Sequence, residues 1–204
     1  MHSLILTSVA PRPIAWVSSM GKDGTANLAP HSYFNMVCTE PAILAFSSAR
    51  RQGEDRKILG AEGVKDTVRN IRETGEFVVA VVTFPLVEQM NLTSGEYAAS
   101  VNEFEVAKVT MAPSKFVKPP RVEESPVNFE CKVYQILELG TPEAGATLVL
   151  GSVVNVHVRE DVLTDGKIDS AKLDFVGRMG GRQYCRATDR FEMDRPSRPF
   201  RFEK

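Results

Sequence analysis

Two long segments of alternating hydrophobicity, residues 128–139 and 147–158, limit what this chain can fold into. In the first, Phe129, Cys131, Val133, Leu137 and Leu139 share one face, while Asn128, Glu130, Lys132 and Glu138 share the other. Such a period of two marks a strand with one buried side. The second segment, TLVLGSVVNVHV, carries Gly151 near its middle, a place for a bulge or sharp bend. Long, bent strands suit a barrel better than a flat open sheet.

The other segments agree. Residues 14–19 form a β-branched and aromatic run, followed by the turn signal Gly21-Lys22-Asp23-Gly24 and a return strand at 26–30. Residues 42–48 (AILAFSS) form another apolar strand, and 77–84 (FVVAVVTF) read as a strand buried on both faces. Helices are few. Residues 65–74 (KDTVRNIRET) are the clearest, with Asp66 or Thr67 to cap the start, Gly75 to end it, and Val68 and Ile71 facing the core. Shorter helices are expected at 86–92 and near 98–104, and the Pro- and Lys-rich stretch 111–126 reads as a surface connection.

Composition narrows the function classes. With 204 residues, 43% hydrophobic and 25% charged, the chain is expected to be a single domain over residues 1–204. The net charge is -1, and the basic clusters (Arg50, Arg51 and the arginines from Arg195 onward) are interleaved with acids. They read as solvated faces, so no nucleic-acid partner is expected. The apolar opening is cut by Pro11, Arg12 and Pro13, and no run approaches the roughly 20 residues of a membrane-spanning helix. No membrane partner is expected. Cys38, Cys131 and Cys185 are odd in number and form no CxxC, which suits reduced thiols in the cytoplasm.

His2, His31 and His157 belong to no HExxH or Cys/His cluster, so no metal site is expected. GxSxG and GxxxxGK[ST] are missing, and Gly177-Arg178-Met179-Gly180-Gly181 lacks the GxGxxG spacing. A chain without these tools can still do chemistry through a cofactor that brings its own reactivity. Three segments offer groups to hold one. In residues 10–19 (APRPIAWVSS), Arg12 faces an anion and Trp16 an aromatic ligand, or the segment is a Pro-stiffened strand with a core tryptophan. Residues 27–37 (NLAPHSYFNMV) gather Ser32, Tyr33, Phe34 and Asn35 at a bend, which is either a plain polar bend or a rim for a planar heterocycle. Residues 65–71 (KDTVRNI) combine a helix start with Lys65 and the Thr67 hydroxyl, good chemistry for a phosphate monoester, or are only a capped helix.

Taken in order, PRPIAWVSS, NLAPHSYFN, AILAFSS, KDTVRNIRETGEFVV, ESPVNFEC, LVLGSVVNVHV and GRMGGRQYCR resemble the flavin reductase-like family of FMN-binding split barrels, especially its flavoredoxin-like branch. The resemblance implies a mainly β fold, an antiparallel Greek-key split β-barrel with a few flanking helices. It also implies a homodimer with FMN in a cleft built by both subunits. Carried onto this chain, Lys65 and Thr67 hold the phosphate, while Ser32, Phe34 and Asn35 line the isoalloxazine and ribityl chain with Tyr33 nearby. Ser47 and Ser48 reach the ribityl hydroxyls or phosphate, and Arg12 is a further candidate for that region. Arg178, Gly180, Gly181 and Tyr184 match a late GRxGGxxY phrase, in which the glycines admit a ring and Tyr184 closes the site or belongs to the core.

His157 stands beside a nicotinamide or is a hydrogen-bonded structural histidine. The linker at residues 48–64 is extended and serves as a lid, a specificity loop or an obstruction. Arg50 and Arg51 within it read as flexible surface arginines, with a second phosphate, as in NADPH, as the other option. The implied activity passes a hydride from NAD(P)H to bound or exchanging flavin and on to an acceptor, with no catalytic side chain required. The alternatives are an FMN-bound electron carrier without nicotinamide activity and an interaction module that has lost flavin.

Overall fold

The computed structural model describes residues 2–51 and 63–196. A short helix, α1 (His2–Ser8), precedes four strands: β1 (Ala15–Met20), β2 (Ala26–His31), β3 (Tyr33–Thr39) and β4 (Ala42–Ala49). Next come α2 (Asp66–Thr74), β5 (Glu76–Val81), a 3-10 turn at Phe84–Leu86, α3 (Val87–Leu92) and α4 (Glu103–Ala107). The ribbon β6 (Met111–Ala112) and β7 (Arg121–Val122) leads to the two long strands, β8 (Val127–Leu139) and β9 (Ala146–Val158). The chain then forms β10 (Leu163–Thr164), β11 (Lys167–Ile168), α5 (Ser170–Leu173), β12 (Val176–Arg178) and β13 (Tyr184–Arg186).

Seven strands pair antiparallel in the order β2-β1-β5-β8-β9-β4-β3. The two edge strands, β2 and β3, are separated in the chain by Ser32 alone. A flat sheet cannot bring its opposite edges within one residue, so this one curls until the edges meet at Ser32. Across that junction His31 of β2 lies against Phe46 of β4, ring centroids 4.8 Å apart. The result is a mainly β, antiparallel Greek-key split barrel with a few flanking helices.

The curl encloses Val17, Leu44, Phe46, Ile71, Phe77, Val79, Cys131 and Val149. The opposite face of β1, β2 and β5 packs Trp16, Leu28 and Ala80 against Met90 of α3 and Phe104 of α4. β5 is therefore buried on both faces, as its unbroken apolar run suggests, although it ends at Val81, short of the 3-10 turn that contains Pro85. On α2, Val68 and Ile71 are buried and Gly75 closes the helix at φ 72 with its N–H on the Ile71 carbonyl. The start differs from expectation. Lys65 is the N-cap residue and no side chain caps the helix; Asp66 and Thr67 lie inside the first turn.

β8 corrects the face assignment. Its register on β9 passes from Val133 opposite Gly151 to Gln135 opposite Leu150, leaving Tyr134 as an extra residue. One such residue moves every later side chain to the other face. Ile136 thereby joins Phe129, Cys131 and Val133 against the core, while Leu137 and Leu139 turn outward. The bulge is opposite Gly151 and not at it. Gly151 is needed because the Phe77 ring fills its side-chain space: a Cβ there would sit 2.2 Å from Phe77 Cζ. Asn128 and Glu130, expected on a solvent face, are buried. Nor is 111–126 a plain surface connection, since Val117, Val122 and Ser125 are buried within it.

Candidate functional site

Where the sheet edges meet, a cleft of about 600 Å³ opens between the end of β2, α3 and the turn joining β12 to β13. Ile14, Pro30, Val87 and Met90 give it apolar walls; Ser32, Glu88, Asn91, Ser94, Arg178, Arg182 and Tyr184 give it polar ones. The Arg178 guanidinium stacks over the Tyr184 ring at 4.5 Å and donates to the Gly181 carbonyl. Tyr184 also packs against the outer core cluster, so it serves both the cleft and the core. A cleft that combines apolar walls with polar groups suits a planar heterocycle with a polar edge.

A second polar cluster forms at the start of α2. Lys65 Nζ is 3.1 Å from Glu96 Oε1, and Arg51 Nε donates to Glu96 Oε2 at 2.7 Å. Arg51 also donates to Asp66 Oδ2 at 2.6 Å and to the Val64 carbonyl at 3.0 Å. Its side chain is 4% exposed, which corrects the reading of Arg51 as a flexible surface arginine. Arg50, in turn, pairs with Glu138 at 2.9 Å. His31 is buried, its Nε2 has no hydrogen-bond partner, and its pKa is driven down to about 3 by burial, with a contribution from the charge of Lys65. The imidazole is therefore neutral at ordinary pH.

Two short stretches join these halves. Ser32 lines the cleft while its neighbour His31 feels Lys65; Ser94 lines the cleft while Glu96 grips Lys65. A ligand with a ring in the cleft and an anion at the helix start would touch both stretches. Among the described residues, no helix is long and apolar enough to cross a membrane, and no group of three His, Cys, Asp or Glu is arranged to hold a metal.

The remaining candidates scatter. Arg12 is buried, and its guanidinium donates to the carbonyls of Leu6, Val9 and Met179, so it ties α1 and the late turn to the barrel. Trp16 is a core residue whose Nε1 donates to Thr93 Oγ1 at 2.8 Å. Thr67 turns inward, its hydroxyl donating to Asn27 Oδ1 at 2.9 Å. Phe34 packs on the inner core, while Tyr33 and Asn35 are exposed on the edge strand. Ser47 is half-buried, and Ser48 is buried with an unpartnered hydroxyl. Gly180 lies against Thr7 of α1, its would-be Cβ being 2.9 Å from Thr7 Oγ1; Gly181 takes φ 58 in the turn.

His157 binds through Nε2 to Glu130 and Asn155. Of the linker at 48–64, residues 52–62 lie outside the described residues. Sequence reading missed Val87, Glu88, Asn91, Ser94, Glu96 and Arg182. Only Arg182 carried a signal, as a basic residue inside the late glycine-rich phrase.

The solved structures this chain is similar to include nitrilotriacetate monooxygenase component B from Bacillus cereus, at 33% identity and TM-score 0.85, covering 94% of this chain and 92% of that one. Another is Pseudomonas fluorescens 2-nitrobenzoate 2-nitroreductase NbaA, at 31% identity and TM-score 0.80, covering 96% and 90%. The flavoredoxin of Desulfovibrio vulgaris (Miyazaki F) shares the fold, with TM-score 0.74 at 22% identity and 91% of each chain covered. The family described as flavin reductase like domain matches residues 7–174. With the curled split barrel and its cleft, this match places the chain in the flavin reductase-like family, whose chemistry is flavin-based redox.

Proposed function

We propose that this chain is an FMN-dependent oxidoreductase, a single domain over residues 1–204 that uses NAD(P)H as electron donor. The observation that carries the reading is that two short stretches, 31–32 and 94–96, link the cleft to the uncapped start of α2 with Lys65. The residues fit a flavin mononucleotide. A helix start with no side-chain cap leaves its first N–H groups for an anion, and Lys65 adds a charge. The unpartnered buried atoms His31 Nε2 and Ser48 Oγ are polar groups in want of a partner. Bound FMN would supply the redox chemistry, taking a hydride from reduced nicotinamide and giving electrons to an acceptor.

The chain's own part is to bind, orient and exclude water. Ile14, Val87 and Met90 offer dry walls, Ser32 and Asn91 offer polar contacts to a ring edge, and Arg178 on Tyr184 closes one side. A homodimer belongs to this reading. In register across β3, β4, β9 and β8 stand Tyr33, Ser47, Leu148 and Leu137, a row on the outer face of the sheet. Near it Met36 and Val37 on the unpaired edge are each 57% exposed. A second copy covering that face would bring Tyr33, Asn35 and Ser47 into an interface.

The test compares FMN with riboflavin by flavin fluorescence quenching. Lys65→Ala is expected to weaken FMN by about tenfold, the worth of one charge-assisted hydrogen bond, and to leave riboflavin unchanged. Stopped-flow bleaching of the bound flavin by NADH or NADPH then reads the donor. Saturable quenching with slow bleaching by both would turn the reading to an electron carrier; no flavin binding would end it.

A further inference from the structure

Resting on the flavin reading, we propose that Glu96 is a built-in counter-ion that the flavin phosphate must displace, so that this chain binds FMN as an exchangeable ligand. The two oxygens of Glu96 are divided between the two cations at the start of α2: Oε1 lies 3.1 Å from Lys65 Nζ and Oε2 2.7 Å from Arg51 Nε. This is the arrangement in which a phosphomonoester would also be held, one anionic group between an ammonium and a guanidinium above uncapped helix N–H groups.

The two cations differ in their freedom. Arg51 is fixed from below, with its other donors on Asp66 and the Val64 carbonyl and its side chain 4% exposed. Lys65 is 34% and Glu96 32% exposed, so their contact is the one that an incoming anion reaches. Independently of this cluster, His31, the chain neighbour of the cleft-lining Ser32, is buried with an unpartnered ring nitrogen.

The position of Glu96 in the chain gives the exchange a consequence. Ser94, two residues before it, lines the cleft, and Gly95 between them lies against the Tyr97 ring. Tyr97 folds back to donate to the Leu92 carbonyl at 2.9 Å, so the loop from Leu92 to Tyr97 is braced as a unit. Because the loop is braced, the exchange is made by the Glu96 side chain and leaves the ring cleft as it is, and the phosphate contributes less to affinity than it would at an open cationic site.

The experiment measures dissociation constants for FMN and riboflavin with wild type and Glu96→Gln by fluorescence quenching. Glu96→Gln keeps the size and removes the competing charge. It is expected to tighten FMN by about tenfold, as freeing the Lys65 ammonium for the phosphate should, and to slow FMN release while leaving riboflavin unchanged. In a Lys65→Met background the same substitution is expected to change FMN binding by less than about twofold, because the contested cation is gone. The wild-type ratio of riboflavin to FMN dissociation constants is a readout that needs no variant and is expected to stay below about thirtyfold.

Weaker FMN binding by Glu96→Gln would make Glu96 a positioning residue for Lys65 and overturn the proposal. So would an unchanged ratio with both flavins bound, or a wild-type ratio above about thirtyfold. Failure of both flavins to bind wild type would overturn the flavin reading and this inference with it.

Discussion

Glu130 is a carboxylate with no exposed surface in the middle of β8, and its partners explain why a charge is tolerated there. Its oxygens accept the main-chain N–H groups of Lys115 at 2.8 Å and Phe116 at 2.6 Å, the Asn155 amide at 3.2 Å, and a hydrogen bond with His157 Nε2. Burial by itself raises the pKa of the group, but His157, the two main-chain donors and Asn155 outweigh it and bring the pKa from 4.5 down to about 2. A depressed carboxylate contributes stability that is fully present above its unfolded value and is lost as pH falls through the folded one. Glu130→Gln is therefore expected to destabilise the fold by about 2 kcal/mol at neutral pH. The difference from wild type should shrink as pH drops from about 4.5 toward about 2. Chemical denaturation of both proteins at a series of pH values checks this; a difference constant across that window would refute the role given to the charge.

At the scale of elements, the hairpin of β8 and β9 carries the sheet, and two local events shape it. The extra residue at Tyr134 flips the faces of the last part of β8, and Gly151 opposite leaves its side-chain space to the Phe77 ring, which reaches over from β5. The contact is side chain on backbone in a packed core, where there is little room to give. Gly151→Ala is expected to cost about 1–3 kcal/mol through overpacking. Thermal unfolding should show it as a lowered midpoint, about 2–4 °C per kcal/mol in a chain of this size. Gly151→Ala combined with Phe77→Leu should recover part of the loss, because the ring is the obstacle. An unchanged midpoint in the single variant would mean that the strands are not so closely apposed.

For the whole molecule, strands β3 and β8 leave several large apolar side chains exposed. Tyr134 is 58% exposed there, with Val37 at 57% and Leu137 at 38%. Apolar side chains on and beside an unpaired edge strand favour association. Sedimentation equilibrium is expected to give twice the chain mass of 22.5 kDa. Leu137→Glu is expected to give single chains with weakened FMN binding, because burying an unpaired carboxylate in the interface costs several kcal/mol. Single chains that bind FMN as well as wild type would separate flavin binding from assembly.

Local pattern decided much of this molecule. Alternation located β8 and β9, the unbroken apolar run of β5 announced burial on both faces, and α2 with its Gly75 terminus was legible from Val68, Ile71 and the glycine. Seven phrases in order were enough for the family. These signals are short-range: side-chain periodicity and the conformational freedom of glycine act within a few residues.

The tertiary structure alone decided the rest. It took pairing with β9 to show that Tyr134 is an extra residue and so which side Leu137 faces, because register depends on a partner far away in the chain. It took the folding back of the loop at Ser94 to place Glu96 on Arg51 and Lys65 and to turn an apparently free arginine into a buried one. Lys65 and Ser32 come from phrases read in the sequence, and the fold sets Ser32 at the cleft and Lys65 against Glu96. Which groups Arg12 and Thr67 meet was left to the fold, since an arginine or threonine reads alike in sequence whichever part of the chain it contacts.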